Sequence, residues 1–247
     1  VGVVAVAILH AHAVSVFVDR GGGRVLGALA RVCRFRRARD EERKQEERAH
    51  SGSIPHFARA PCYAAPCASS ARSIAPPSEA DALLLQASIG CSHNRCTYCD
   101  MYRDKPVFRA RPVEECVEDL RAAGSQYGSR VQKLFVTDGD ALVLPIESWD
   151  RILWEARRQF PRLRRVSCYA MARNILEKGK EALAALRAAG LTRLYIGPEA
   201  GDDVTLRRIA KGSNAATHVE AARLAHEAGL ELSVIFLLGA GGVERTA

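Results

Sequence analysis

Aromatic side chains are scarce in this sequence, with two Trp, six Tyr and seven Phe among 247 residues. Proteins that bind single-stranded nucleic acid stack its bases on aromatics set among basic residues. The formal net charge of +8 would suit an anionic partner, but Arg is spread along the chain without that alternation. The charge is therefore read as solvated surface, and nucleic acid is not indicated. Long apolar runs are lacking too. The longest candidate, Val1–Val18, is interrupted by His10 and His12 and is short for a membrane span. No basic leader precedes it, which argues against a secretory signal. The Arg- and Ala-rich composition that follows is that of an organellar transit peptide, but its acidic residues argue against one. Gly239-Ala-Gly-Gly242 lacks the G-x-G-x-x-G spacing of a dinucleotide fingerprint.

Among eight cysteines (Cys33, Cys62, Cys67, Cys91, Cys96, Cys99, Cys116 and Cys168), three crowd into Cys91-Ser-His-Asn-Arg-Cys96-Thr-Tyr-Cys99. An even count would suit a disulfide framework in a small secreted protein; this chain is too long and helix-rich for one. A nearby fourth cysteine is what the triplet lacks. Structural zinc is normally closed by four ligands and iron–sulfur clusters by four cysteines, so a cluster held by three keeps one iron open. His93 as a fourth ligand to zinc is the alternative. Arg95 beside the thiols favours their deprotonated form. A cluster calls for a reducing compartment: the cytoplasm, or an organelle if the leading residues are a transit peptide.

Residues 1–75 read as an N-terminal extension, disordered or leader-like, and 76–247 as the core domain. Arg34–Arg48 alternates charge as a solvated or disordered segment does, and Ser51–Pro77 has the Ser, Ala and Pro content of a linker. Cys62 and Cys67 have no evident partners. From Asp81 strand and helix alternate. Strands are expected at Leu83–Ile89, Lys133–Thr137, Arg165–Ala170, Leu194–Ile196 and Leu232–Leu238. Helices are expected at Pro112–Tyr127, Ser148–Phe160, Ile175–Ala189, Asp202–Ala210 and Ala215–Ala228. Glu114 and Glu115 suit a helix N-terminus, and Gly190 and Gly229 serve as stops. Cys116, Cys168, Trp149 and Trp154 are read as packing residues; Arg207 and Lys211 as solvated. The alternation argues for a parallel sheet flanked by helices, either doubly wound or barrel-like.

The segment from about Pro76 onward, with PPSEADALLLQ running into GCSHNRCTYCDMYRDKP, resembles the radical S-adenosylmethionine (radical SAM) enzymes, in an uncharacterised branch of Fe–S oxidoreductases. The spacing here is C-x4-C-x2-C, one residue longer between Cys91 and Cys96 than the commonest family pattern. The resemblance implies an α/β partial (β/α)6 barrel of TIM type. The sequence offers five of its six strand–helix units, so it looks truncated after the fifth strand. It also implies a [4Fe–4S] cluster on Cys91, Cys96 and Cys99, with Tyr98 before the last cysteine, and S-adenosylmethionine on the open iron. Asp138-Gly139-Asp140 stands where the family has a Gly-Gly-Glu motif for the ammonium of S-adenosylmethionine. Ser167, Tyr169, Arg173 and Asn174 are candidates for its carboxylate or for the substrate. Glu199, within Gly197-Pro-Glu-Ala-Gly201, is implied for the ribose hydroxyls, and Gly239 for a close approach to the adenine.

The implied activity is reductive cleavage of S-adenosylmethionine to a 5′-deoxyadenosyl radical that acts on an unknown substrate, fed by a flavodoxin or ferredoxin type of electron donor. The competing readings are a non-enzymatic zinc module and an inactive fragment of the family.

Overall fold

The computed structural model describes residues 7–10, 13–17, 75–104 and 107–245. Cys33, Cys62, Cys67, the Arg34–Arg48 segment and most of the Ser51–Pro77 stretch lie outside them. Within the N-terminal stretch, β1 (Ala7–His10) and β2 (Ala13–Phe17) form an antiparallel pair.

The core is a parallel sheet of β3 (Leu83–Gln86), β6 (Lys133–Thr137), β7 (Arg165–Tyr169), β8 (Arg193–Glu199) and β9 (Glu231–Phe236), each pairing with the next in chain order. Helices alternate with these strands: α1 (Val113–Tyr127), α2 (Ile146–Gln159), α3 (Ala172–Ala189), α4 (Asp203–Arg208) and α5 (Ala215–Glu227). The hairpin β1–β2 extends the sheet antiparallel at β9, with Val14 opposite Phe236.

The expected first strand, Leu83–Ile89, is two elements. The parallel ladder leaves off after Gln86, and β4 (Ser88–Ile89) turns away to pair antiparallel with β5 (Arg109–Ala110). This small ribbon closes the neck of the excursion that carries the cysteines. Apolar periodicity could not reveal the break, because Leu83, Leu85, Ala87 and Ile89 are all buried on either side of it.

Both faces of the sheet are covered, which is why its strands read as continuous apolar runs rather than alternating ones. Leu83, Leu85, Leu134, Val136, Val166, Cys168, Leu194, Ile196 and Leu232 face the helices and join the main core. The helices answer with apolar stripes at helical spacing, such as Trp149, Ile152, Leu153 and Ala156 on α2. The cross-strand register carries Phe135, Tyr169 and Tyr195 onto the opposite, inner face, where their rings stand edge to face at 5.0–6.3 Å between centroids. Below them the fully buried Glu79 accepts from the Tyr195 hydroxyl (2.7 Å) and lies 3.5 Å from Arg165. The inner face is plugged at the N-terminal ends of the strands.

Two sequence readings of packing are corrected. Trp154 does not pack inward: it is 59% exposed, with the Arg158 guanidinium over its ring. Helix α3 begins three residues earlier than expected, at Ala172, and Gly179 interrupts it with a left-handed φ of 74°.

Candidate functional site

The loop between β4 and β5 holds Cys91, Cys96 and Cys99 over the C-terminal ends of the parallel strands, the end at which such folds bind ligands. Three sets of contacts dock it there. At its start, Gly90 donates to Asp138 Oδ2 (3.1 Å) while Gly139 donates to the Gly90 carbonyl (3.1 Å). In the middle, the Ser92 hydroxyl donates to Asp140 Oδ2 and accepts from Arg173 (2.7 Å). At its far side, Thr97 donates to the Ile209 carbonyl (3.0 Å), and His93 Nε2 lies 2.7 Å from the Ala210 carbonyl. A carbonyl only accepts, so Nε2 carries the proton. The loop is closed on itself by Arg103, which donates to the carbonyls of Cys96 and Cys99.

The three thiols are half-buried. Burial pushes Cys96 and Cys99 above the usual thiol range, and the neighbouring cysteines, Cys91 among them, add to the rise. Lys211 opposes it at Cys96. The sequence suggested Arg95 for that role, but Arg95 is exposed. Among the described residues, no three His, Cys, Asp or Glu side chains converge closely enough to hold a single ion. Zinc at about 2.3 Å from each sulfur would need the sulfurs within roughly 4 Å of one another. Three thiols on one loop are the donor type that holds iron–sulfur clusters, and in that chemistry the residues fit the group.

Gly139 lets the loop approach β6 closely. A Cβ there would meet Tyr102 Cε2 at 2.8 Å and Cys91 Cβ at 2.9 Å. The two aspartates flanking it do different work. Asp138 is fully buried and is used internally, accepting from Gly90 and from the Gln86 amide (3.2 Å). Asp140 is equally buried and accepts from Ser92 and Asn174 at Oδ2, while its Oδ1 has no hydrogen-bond partner among the described residues. Burial raises the Asp140 carboxyl above the usual range, against the pull of Ser92, Asn174, Arg173 and the Met171 backbone. A buried carboxylate oxygen left open is costly unless something donates to it.

Glu199 ends β8 in the left-handed region, at a φ of 68° after a register shift in the β8–β9 ladder. Such a conformation is uncommon for a side chain of this size and concentrates at functional sites. It folds the carboxylate back over Gly197, where a Cβ would lie 2.1 Å from Glu199 Oε1. That oxygen is 3.2 Å from Lys211 Nζ, which also donates to the Tyr98 hydroxyl (3.3 Å). Tyr98 is 39% exposed as a residue, but desolvation of its hydroxyl, with the Glu199 charge beside it, raises the phenol above its ordinary range.

Lys211 is therefore not the solvated residue the sequence suggested. Its side chain is 12% exposed, in the turn between α4 and α5. The Lys-Gly-Ser break between two helices was visible in the sequence, but its position over the cysteine loop was not. The sequence reading also missed Ser92 as the link between that loop and Asp140.

The remaining candidates divide. Asn174 and Arg173 belong to the network just described. Ser167 is fully buried on the inner face, and Tyr169 packs in the aromatic cluster. Gly239, at a φ of 83°, has open space around it in the turn after β9; that turn is tied to Glu199 by the Leu237 N–H (3.0 Å). A cavity of about 20 Å³ opens beside Arg173, Gly197, Lys211, Ser213 and His218.

The sequence profile of the Radical SAM superfamily matches residues 85–245. The chain is 25% identical over 173 residues to 4'-phospho-dehydrooxetanocin synthase from Priestia megaterium, a match covering 64% of this chain and 23% of that protein. The chain thus spans about a quarter of the length of the curated relative it matches. Among solved structures it is similar to the cobalamin-dependent S-adenosylmethionine radical enzyme OxsB with aqua-cobalamin and S-adenosylmethionine bound (TM-score 0.51, 24% identity, 62% of this chain and 23% of that one). Another similar structure is the radical S-adenosylmethionine methyltransferase TsrM from Kitasatospora setae (TM-score 0.46, 21% identity, 61% and 30%). The profile covers well over half of the sequence, from β3 through the turns beyond β9, and the chain belongs to the radical SAM superfamily.

Proposed function

We propose that this chain is the S-adenosylmethionine-cleaving core of a radical SAM enzyme, with a [4Fe–4S] cluster on Cys91, Cys96 and Cys99. When bound, the cluster supplies the electron that breaks a carbon–sulfur bond of the sulfonium, giving methionine and a 5′-deoxyadenosyl radical that takes a hydrogen atom from the substrate. The observation that carries the reading is the ligand count. His93, the neighbouring side chain able to complete a zinc site, is turned to the Ala210 carbonyl and packs against Gly212, and among the described residues it does not converge with the thiols closely enough to hold a single ion. Three thiols remain, which suits a cluster with one open iron.

The surrounding residues supply orientation. Asp140 offers its open oxygen to the ammonium of S-adenosylmethionine; Arg173 is the cation for its carboxylate; Glu199 accepts from the ribose hydroxyls; the Gly239 turn admits the adenine. Asp138 acts indirectly, by holding Gly90 and thereby Cys91. The electron comes from a flavodoxin or ferredoxin type of donor, in a reducing compartment such as the cytoplasm. Among the described residues, no helix is long and apolar enough to cross a membrane.

Anaerobic reconstitution with iron and sulfide, followed by low-temperature EPR of the reduced protein, tests this. The expected result is a cluster signal that changes on adding S-adenosylmethionine and is lost in Cys96→Ala. Asp140→Asn should keep the signal but require several-fold more S-adenosylmethionine to change it. Uptake of zinc in place of iron, or a signal indifferent to S-adenosylmethionine, overturns the reading.

A further inference from the structure

Lys211 is set where a buried cation has consequences. Its ammonium is 3.2 Å from Glu199 Oε1, 3.3 Å from the Tyr98 hydroxyl and 5.9 Å from the centre of the Tyr98 ring. Tyr98 lies between Cys96 and Cys99, so the ammonium is held against the cluster loop itself. The turn that carries it is built for this position. Ala210 adopts a φ of 52° and Gly212 one of 74°, and Lys211 N closes the end of α4 on the Leu206 carbonyl (3.0 Å). A Cβ on Gly212 would strike the His93 ring at 2.6 Å. Loop and turn are thus locked together on both sides of the lysine. With the side chain 12% exposed, water and salt screen its charge only weakly. Glu199, 3.2 Å from the ammonium, offsets that charge in part.

We propose that Lys211 is a positioning and charge-compensating residue: it ties Glu199 to Tyr98 of the cluster loop, and it raises the potential at which the three-cysteine cluster accepts an electron. This rests on the cluster reading above. Three thiolates and a reduced cluster concentrate negative charge, and a fixed ammonium at their edge favours the state with one more electron. One further consequence follows. Because Glu199 offsets the lysine's charge at 3.2 Å, removing the Glu199 charge should strengthen the lysine's field at the cluster.

The test is a redox titration of the reconstituted full chain, monitored by EPR without S-adenosylmethionine, for the wild type, Lys211→Met, Lys211→Arg and Glu199→Gln. Lys211→Met should hold the added electron about tenfold less tightly, a drop of about 59 mV for a one-electron couple. Lys211→Arg should stay close to the wild type, and Glu199→Gln should shift the potential upward. Iron content is measured on each sample. A Lys211→Met protein with wild-type iron and an unchanged potential overturns the proposal and leaves the cluster reading standing. Equal losses of iron in Lys211→Met and Lys211→Arg, with unchanged potentials in the remaining clusters, also overturn it, since a purely steric role would then suffice. A wild-type chain that assembles no cluster overturns both.

Discussion

Replacing Gly139 with alanine tests the closest approach in the site, that between the end of β6 and the cysteine loop. The glycine does not occupy a left-handed conformation, so alanine meets no backbone penalty and the cost is one of space alone. The added methyl would stand 2.8 and 3.0 Å from two Tyr102 ring carbons and 2.9 Å from Cys91 Cβ. Neither neighbour yields easily. Tyr102 is 3% exposed, and Cys91 follows Gly90, which is held by hydrogen bonds to both Asp138 and Gly139. Overpacking of this kind costs about 1–3 kcal/mol, which for a domain of this size lowers Tm by about 3–10 °C. Because the methyl pushes on a cysteine, retention of iron after reconstitution should fall further than stability does. Gly201→Ala is the control: it has open space and an ordinary backbone, and should remain within about 0.5 kcal/mol of the wild type. Thermal unfolding followed by circular dichroism, paired with iron analysis, reads both quantities. A Gly139→Ala protein with unchanged Tm and full iron content would refute the claim that this contact sets the position of Cys91.

His218→Gln addresses acid stability. Burial, helped by Lys211, lowers the His218 pKa from 6.5 to about 4. The unfolded chain therefore binds the extra proton first as pH falls, and the wild type should lose stability between about pH 6.5 and 4, with the penalty constant below. The gap is equivalent to about 3 kcal/mol, and screening near the Ser213 edge of the ring brings the expected effect to about 1–2 kcal/mol. Denaturant melts of wild type and variant across that window check it; parallel curves would count against the assignment. His93→Ala should retain iron and the EPR signal, because His93 anchors the loop to the Ala210 carbonyl rather than serving as a ligand, with about 0.5–1.5 kcal/mol of stability lost with that bond. Loss of metal with stability unchanged would restore the zinc reading.

The sequence by itself determined the α/β alternation, the parallel character of the sheet and the cysteine triplet that follows the first strand, while the order of the strands was left open. These are local properties: apolar runs bounded by turn residues, helical stripes such as that of α2, and ligand spacing along one loop. Cys116, Cys168 and Trp149 are buried as their positions implied. The tertiary structure decided which of the polar residues at the strand ends meet. Asp138 and Asp140 are two residues apart and chemically alike, yet one secures the backbone of the cysteine loop while the other keeps a buried oxygen open. Lys211 lies 115 positions after Cys96 in the numbering, and no period or motif marks it as the neighbour of that thiol. His93 is of the residue type that ligates zinc, and only the fold places its ring against the turn after α4, within hydrogen-bond distance of the Ala210 carbonyl. Spacing along a chain reports what a strand or helix will bury. The pairing of charges across separate loops depends on how the strands end and where the chain turns, and that is settled only when the sheet is assembled.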